Sequence, residues 1–348
     1  MPFVSRRDFV RSATAASLLA GAGGVPALAA TTRLNVGTIG HSMAHFALYL
    51  AQQEGYFGQN GVDIGKPTEL STGALVGTAV TSGSIDVGSS PITDVFSLAK
   101  AGRSAKIIAV SMAAFYVDLI ASTKLMQSAN LRTDSPLEDK VRALRGKNIG
   151  ITGPGSGTEA LVKYLLETQK IDPTRDVQLI NVGANIASVL AALRTNRIDA
   201  VSFAWPLGQQ AQVEGIGETL ISPARGDVPA MDHQMHGVIY ATQDVIDHKR
   251  EAIEGFIRGY ARACSTIINE PVKAREVLTS FYPGMEPRAL ELTFQVFRLR
   301  AVPSSPIPDR QGYEKAIKFH LAEGLITQEY PYDSLVAKSV IEDALRKH

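Results

Sequence analysis

A helix that runs into an Ile-Asp strand occurs twice in this chain, and each time a strand, a turn and a helix precede it. The two copies read TAVTSGSIDVGSS (residues 78–90) and AALRTNRIDAVSFA (residues 191–204). Around them strands and helices alternate. RLNVGTI reads as a strand and MAHFALYLAQQEG as a helix that Ser42 can cap and Gly55 ends. PITDVFSLAKAG is a helix with Pro91 in its first turn, and KIIAVSM and VDLIAST are further strands. A second unit starts at LRGKNIGIT, continues through TEALVKYLLETQK, VQLINV, NIASVLAALRTNR and IDAVSFA, and ends at Trp205-Pro206. Alternation of this kind predicts an α/β fold with a largely parallel sheet, and the weak internal repeat predicts two similar lobes. The polar, proline-containing stretch 124–144 has no clean period and reads as surface loop. After MDHQMHG and the strand VIYAT, long helices run to the C-terminus, with a proline-rich loop at 303–313.

The loop GPGSG after the strand at 151 raises the question of chemistry. A Walker A loop needs Gly-Lys-Ser/Thr, and Gly157-Thr158 has no lysine between. A dinucleotide fingerprint fits Gly155-Ser156-Gly157-Thr158-Glu159-Ala160, with alanine in last place. The acidic residue that should end the next strand is absent, because Asp176 stands at that strand's start. A short-anion site needs only hydroxyls and the exposed N–H groups of a helix start, which Ser156 and Thr158 and the glycines provide. A plain capped loop remains the bland alternative.

Two loops of the first half have the same form. Gly40-His41-Ser42 opens one helix, and Ser89-Ser90-Pro91-Ile92-Thr93 opens another. Three helix N-termini, each partly positive, can converge on one polar ligand without a buried Lys or Arg.

Three segments resemble the periplasmic substrate-binding proteins of ABC importers, of the nitrate/sulfonate/taurine type, whose relatives include carriers of thiamine pyrimidine precursors. They are LYLAQQEGYFGQNGVDI, TSGSIDVGSSPITDVFSLAKAG and LRGKNIGITGPGSGTEALVKYLL. The steps Glu54-Gly55-Tyr56-Phe57 and Gly83 to Gly88 are the most specific. The resemblance covers most of the mature chain, about residues 34–211. It implies a two-lobed periplasmic binding protein fold (type II), binding rather than catalysis, a ligand in the interlobe cleft and delivery to the membrane subunits of an ABC permease. It also implies a protein without a cofactor, working as a monomer. By position, it maps the cleft onto His41, Ser42 and Met43, onto Ser89 and Ser90 with Thr93, onto Gly155, Ser156, Gly157 and Thr158, and onto the segment at Trp205. Tyr116 and His236, near the two proposed crossings, complete the candidate set. Lobe one is expected at 32–117 and 238–348, lobe two at 118–237.

The remaining features set bounds. Arg6 and Arg7, an Ala/Leu/Gly-rich run and Ala27-Leu28-Ala29 read as a cleavable signal peptide over residues 1–30, with Ser5 to Val10 close to a twin-arginine motif. The expected destination is the periplasm. A formal charge of +1 gives no sign of a nucleic-acid or membrane surface. The one cysteine, Cys264, forms no internal disulfide. It shares an apolar helical face with Ile253, Phe256, Ile257, Tyr260, Ile267 and Ile268 and reads as packing.

Sharper chemistry finds less support. Gly40-His41-Ser42-Met43-Ala44 falls one glycine short of a hydrolase elbow. His41 with His45, and His233 with His236, have helical spacings that would suit a metal if all four met, yet no H-E-x-x-H occurs. Trp205 can stack on a planar ligand or pack in the core. The first ligand expected is a sulfonate or carboxylate. A neutral pyrimidine-like heteroaromatic comes next, and an exported dinucleotide-dependent oxidoreductase is the alternative from another class.

Overall fold

A computed structural model describes residues 31–103 and 105–347; the signal-peptide reading lies outside them. The first half holds β1 (Thr32–Arg33), β2 (Val36–Ile39), α1 (Phe46–Gln53), β3 (Val62–Asp63), β4 (Thr68–Leu70), α2 (Gly73–Thr81), β5 (Val87–Pro91), α3 (Ile92–Lys100) and β6 (Ala105–Met112). The second holds β7 (Val117–Ser122), α4 (Thr123–Ser128), α5 (Leu137–Arg142), β8 (Asn148–Ile151), α6 (Gly157–Thr168), β9 (Gln178–Asn181), α7 (Ile186–Arg194), β10 (Ala200–Ala204), α8 (Leu207–Val213) and β11 (Gly217–Ile221). The chain then returns through β12 (Gly237–Thr242) to α9 (Gln243–His248), α10 (Arg250–Asn269), α11 (Pro271–Phe281), α12 (Pro287–Arg300), α13 (Arg310–Ala322), α14 (Tyr332–Leu335) and α15 (Lys338–Arg346).

Two five-stranded sheets result, in the orders β4-β2-β5-β12-β6 and β9-β8-β10-β7-β11. Both follow one plan: three parallel strands, then one reversed strand, β12 or β7, and an edge strand that pairs antiparallel with it and so runs the same way as the first three. The sheets are therefore mixed rather than largely parallel. The reason is the crossing: β7 and β12 each arrive from the other half and insert antiparallel beside β10 and β5.

The repeated Ile-Asp step has a structural cause. Asp86 Oδ2 accepts from the Asn35 N–H at 2.8 Å, and Asp199 Oδ2 accepts from the Asn148 N–H at 2.9 Å. In each half the same carboxylate, 51 residues downstream, tethers the chain just ahead of the first inner strand or at its start. Ile85 and Ile198 beside them are buried.

Capping follows the sequence. Ser42, Ser156 and Asn185 accept from Ala44, Glu159 and Ser188 N–H groups, and Gly55 and Gly102 lie past helix ends with positive φ. The stretch 124–144 is not plain loop. Ser122 caps α4, which buries Leu125 and Met126, and α5 buries Lys140 and Val141. Each helix has six residues, too few for a 3.6-residue period to show.

Helix α10 packs on α1 and α15 behind the first sheet, and Cys264 is buried in that interface, where desolvation pushes its thiol up to about 12. The C-terminal helices do not serve the first sheet alone: α12 packs on α8, and Phe319 of α13 sits in the core of the second. Among the described residues, no helix is long and apolar enough to cross a membrane.

Candidate functional site

Two segments join the sheets in sequence, one between β6 and β7 and one between β11 and β12. Tyr116 ends the first and His236 ends the second, and their rings lie 5.3 Å apart. Beside them the C-terminal ends of β2 and β5 meet a cavity of about 60 Å³. Its walls are Ile39, Ser42, Ala44, His45, Ser90, Pro91, Tyr116, His236 and Gly237. Strand C-termini are where open α/β sheets meet ligands.

Ser42, His45, Ser90, Tyr116 and His236 bring polar side chains to an otherwise apolar lining, and among the described residues no Lys or Arg joins them. His45 donates from Nε2 to the Ile39 carbonyl at 3.2 Å, which leaves Nδ1 to accept from Ser89 Oγ at 3.0 Å. Burial holds this imidazole down to about 4, against the raising effect of the Ile39 bond, so it is neutral at pH 7. His236 is 4% exposed, and its Nδ1 is buried without a partner. Burial, aided by the neighbouring His320, lowers it to about 3. Ser90 Oγ donates to Tyr240 Oη at 3.2 Å, and the Tyr116 hydroxyl lies 3.4 Å from Ser42 Oγ. The Tyr116 phenol is raised by burial and stays protonated at pH 7.

Of the residues expected from the sequence, Ser42, Ser90, Tyr116 and His236 line this cavity. The glycine loop reaches it at one remove: a Cβ on Gly157 would lie 3.7 Å from His236 Cε1. The loop's own hydroxyls are engaged with each other. Ser156 Oγ lies 2.7 Å from Thr158 Oγ1, which accepts from the Thr152 N–H at 2.9 Å. Gly155 takes φ +75° and donates its N–H to Glu159 Oε2 at 2.5 Å.

Others are placed elsewhere. Met43 is fully buried in the first core, because the chain turns inward directly after the Ser42 cap. Ser89 is fully buried and spends its hydroxyl on His45. Thr93 Oγ1 lies 2.7 Å from His320 Nε2, and His320 donates from Nδ1 to the Ala316 carbonyl. His41 is exposed, its ring tilted against Phe281 with centroids 3.9 Å apart, and its Nε2 on the Phe281 carbonyl. It borders an open pocket of about 580 Å³ with Gln210, Ser280, Phe281, Tyr282, Pro283, Gly284 and Met285. His233 is exposed in a turn, so the four histidines do not meet. Among the described residues no group of three His, Cys, Asp or Glu is placed to hold a metal.

Trp205 is 2% exposed and packs edge-on to Tyr116, with ring centroids 6.1 Å apart. Its Nε1–H donates to Asp118 Oδ2 at 2.8 Å. Asp118 was not foreseen, since a lone Asp inside an apolar strand carries no motif. Its Oδ1 is buried and unpartnered, and desolvation pushes the carboxyl up to about 7. A raised acid binds its proton more tightly when folded, so the native chain loses stability as pH rises from about 4 to about 7. Asp118→Asn removes that titration. Its unfolding free energy relative to the native chain should therefore climb over this window, and urea unfolding at pH 4, 6 and 8 would measure it. A difference that does not change with pH would mean Asp118 is not titrating there. His45 was also missed as a lining residue, although its place three after Ser42 puts it one turn along the same helix start.

Residues 28–280 match the model of the NMT1-like family. The protein YtlA of Bacillus subtilis (strain 168) is 20% identical over 319 residues, 89% of each chain. The ligand-binding component of an ABC-type import system from Staphylococcus aureus, solved with zinc bound, superposes with a TM-score of 0.70 at 16% identity, covering 90% of this chain and 99% of that one. The alkanesulfonate-binding protein SsuA from Xanthomonas axonopodis pv. citri, bound to MOPS, gives 0.66 at 18% identity, over 91% and 98%. The chain belongs to the NMT1-like family, and its two mixed sheets form the periplasmic binding protein fold.

Proposed function

We propose that this chain is the solute-binding component of an ABC importer and that it captures a small organic anion, a sulfonate or carboxylate, between its two sheets. In this reading residues 1–30 direct export by the twin-arginine route, and the chain works as a periplasmic monomer. Lobe one is formed by 32–117 and 238–348, lobe two by 118–237. The ligand stabilises the closed arrangement because it touches both lobes there, and the closed form delivers it to the permease. The role is binding, not catalysis.

One observation carries the reading. The hydroxyls of Ser42, Ser90 and Tyr116 and two neutral imidazoles line one partly open cavity beside the starts of α3 and α6. Hydroxyls and helix N-termini stabilise an anion without a formal cation. Tyr116 is the most available donor, since among the described residues its hydroxyl has one side-chain partner, the long contact to Ser42. Tyr116→Phe should weaken anion binding about 10- to 100-fold, the worth of one hydrogen bond to a charged group, with little change in unfolding temperature. Isothermal titration with a short alkyl sulfonate and a short carboxylate measures it, and an unchanged Kd for the ligand that binds would exclude this cavity as the site.

The Tyr116 and His236 rings, which both line the cavity with centroids 5.3 Å apart, support a neutral heteroaromatic as the second reading. A pyrimidine would then bind by stacking.

A further inference from the structure

The inner cavity is small. At about 10–15 Å³ of such space per water, 60 Å³ takes a group of about four heavy atoms. That suits a sulfonate or carboxylate head and leaves no room for what the head is attached to. The open pocket of about 580 Å³ lies within the usual size of small-molecule sites.

Consecutive residues line the two spaces. Ser42 lines the inner one and His41, the residue before it, lines the outer. Tyr282, on the wall of the outer pocket, has its ring edge-on to His41 at 5.1 Å; burial raises its phenol, and the charge interaction with the Tyr116 phenol raises it further. The outer pocket is framed from both halves, by Gln210 of α8 on one side and by the turn after α11 on the other. Its walls are the rings of His41, Phe281 and Tyr282 with Pro283 and Met285, and Gln210 and Ser280 are its polar side chains. No charged side chain lines it.

We infer that the outer pocket is a tail subsite, so that the ligand is an amphiphilic anion: a small charged head in the inner cavity and an apolar, preferably planar, tail against His41, Phe281 and Tyr282. This rests on the inner cavity being the head site. Inorganic oxyanions, which have no tail, would leave the aromatic walls in water. His41 is then a specificity residue, because it supplies a ring face and is itself held by Phe281 and its carbonyl.

The test is isothermal titration of the full chain with two matched series. One holds methane-, butane- and benzenesulfonate, the other the corresponding neutral sulfonamides. Burial of the tail predicts that butane- and benzenesulfonate bind at least about tenfold tighter than methanesulfonate. His41→Ala should shrink that ratio below about threefold, and His41→Phe, which keeps a ring, should retain it. If only sulfonamides bind and they still prefer the long tail, the anion head is wrong and the tail subsite stands. Affinity independent of the tail in both series, a ratio that survives His41→Ala, or no binding in either series overturns the subsite.

Discussion

Replacing Gly157 with aspartate is expected to weaken binding of an anionic ligand by about 100-fold or more while the fold survives. Gly157 is the first residue of α6, and a Cβ there meets His236 Cε1 at 3.7 Å, an ordinary contact. An acidic residue in the first turn also suits the helix dipole. The new carboxylate would face the cavity beside His236. At about 5 Å from a bound anion and an effective dielectric of about 20, repulsion costs about 3 kcal/mol. A neutral heteroaromatic would lose far less. Titration of the variant with the best sulfonate and with a pyrimidine therefore separates the two ligand classes. Undiminished sulfonate affinity would mean that the anion does not sit near α6.

The second large effect is on stability. Trp205→Ala should cost about 3–5 kcal/mol, the range for truncating a large buried aromatic. The indole is buried against Tyr116, so its loss leaves a void where the chain passes between the sheets. It also strips Asp118 of the Nε1–H it accepts from. Trp205→Phe keeps most of the volume but loses the donor, and should cost about 1–3 kcal/mol. Urea unfolding at pH 8, where Asp118 is ionised, gives both values. A cost below 1 kcal/mol for the alanine variant would show that the indole packs loosely. Because Trp205 is buried rather than open to the cavity, its loss is expected to lower ligand affinity through the fold and not through a stacking contact.

Much of this architecture is written in local sequence. The Ile-Asp step marks both halves because the same carboxylate-to-backbone bond is needed in each. Helix starts at Ser42, Ser156 and Asn185 are legible because short polar side chains cap free N–H groups. The antiparallel insertion of β7 and β12 is not legible, since pairing partners many tens of residues apart in the chain leave no period in either strand. Short α4 and α5 hide in a polar stretch for lack of turns.

The site divides in the same way. Loops could be located, because strand-to-helix turns carry Ser, Thr and Gly for physical reasons. Which side chain in each loop faces inward could not. Ser90 reaches the cavity and Ser89 does not, because successive strand residues point to opposite faces. His45 lines the cavity and His41 the outer pocket, although both flank the same cap. Whether Trp205 stacks on a ligand or packs in the core turns on Asp118, 87 residues away in the chain, which holds its indole N–H.

Thermal unfolding of the purified chain, alone and with a panel of ligands, bears most directly on whether this cavity carries an organic anion. The panel should hold alkyl and aryl sulfonates, mono- and dicarboxylates, nitrate, pyrimidines, NAD(P) and divalent metals. A ligand at about a thousand times its Kd adds about 4 kcal/mol to the folded state and raises the unfolding temperature by several degrees. The account predicts that rise with an organic sulfonate or carboxylate, and its reduction in Tyr116→Phe. A rise with NAD(P) or a metal alone would contradict it and point to an enzyme.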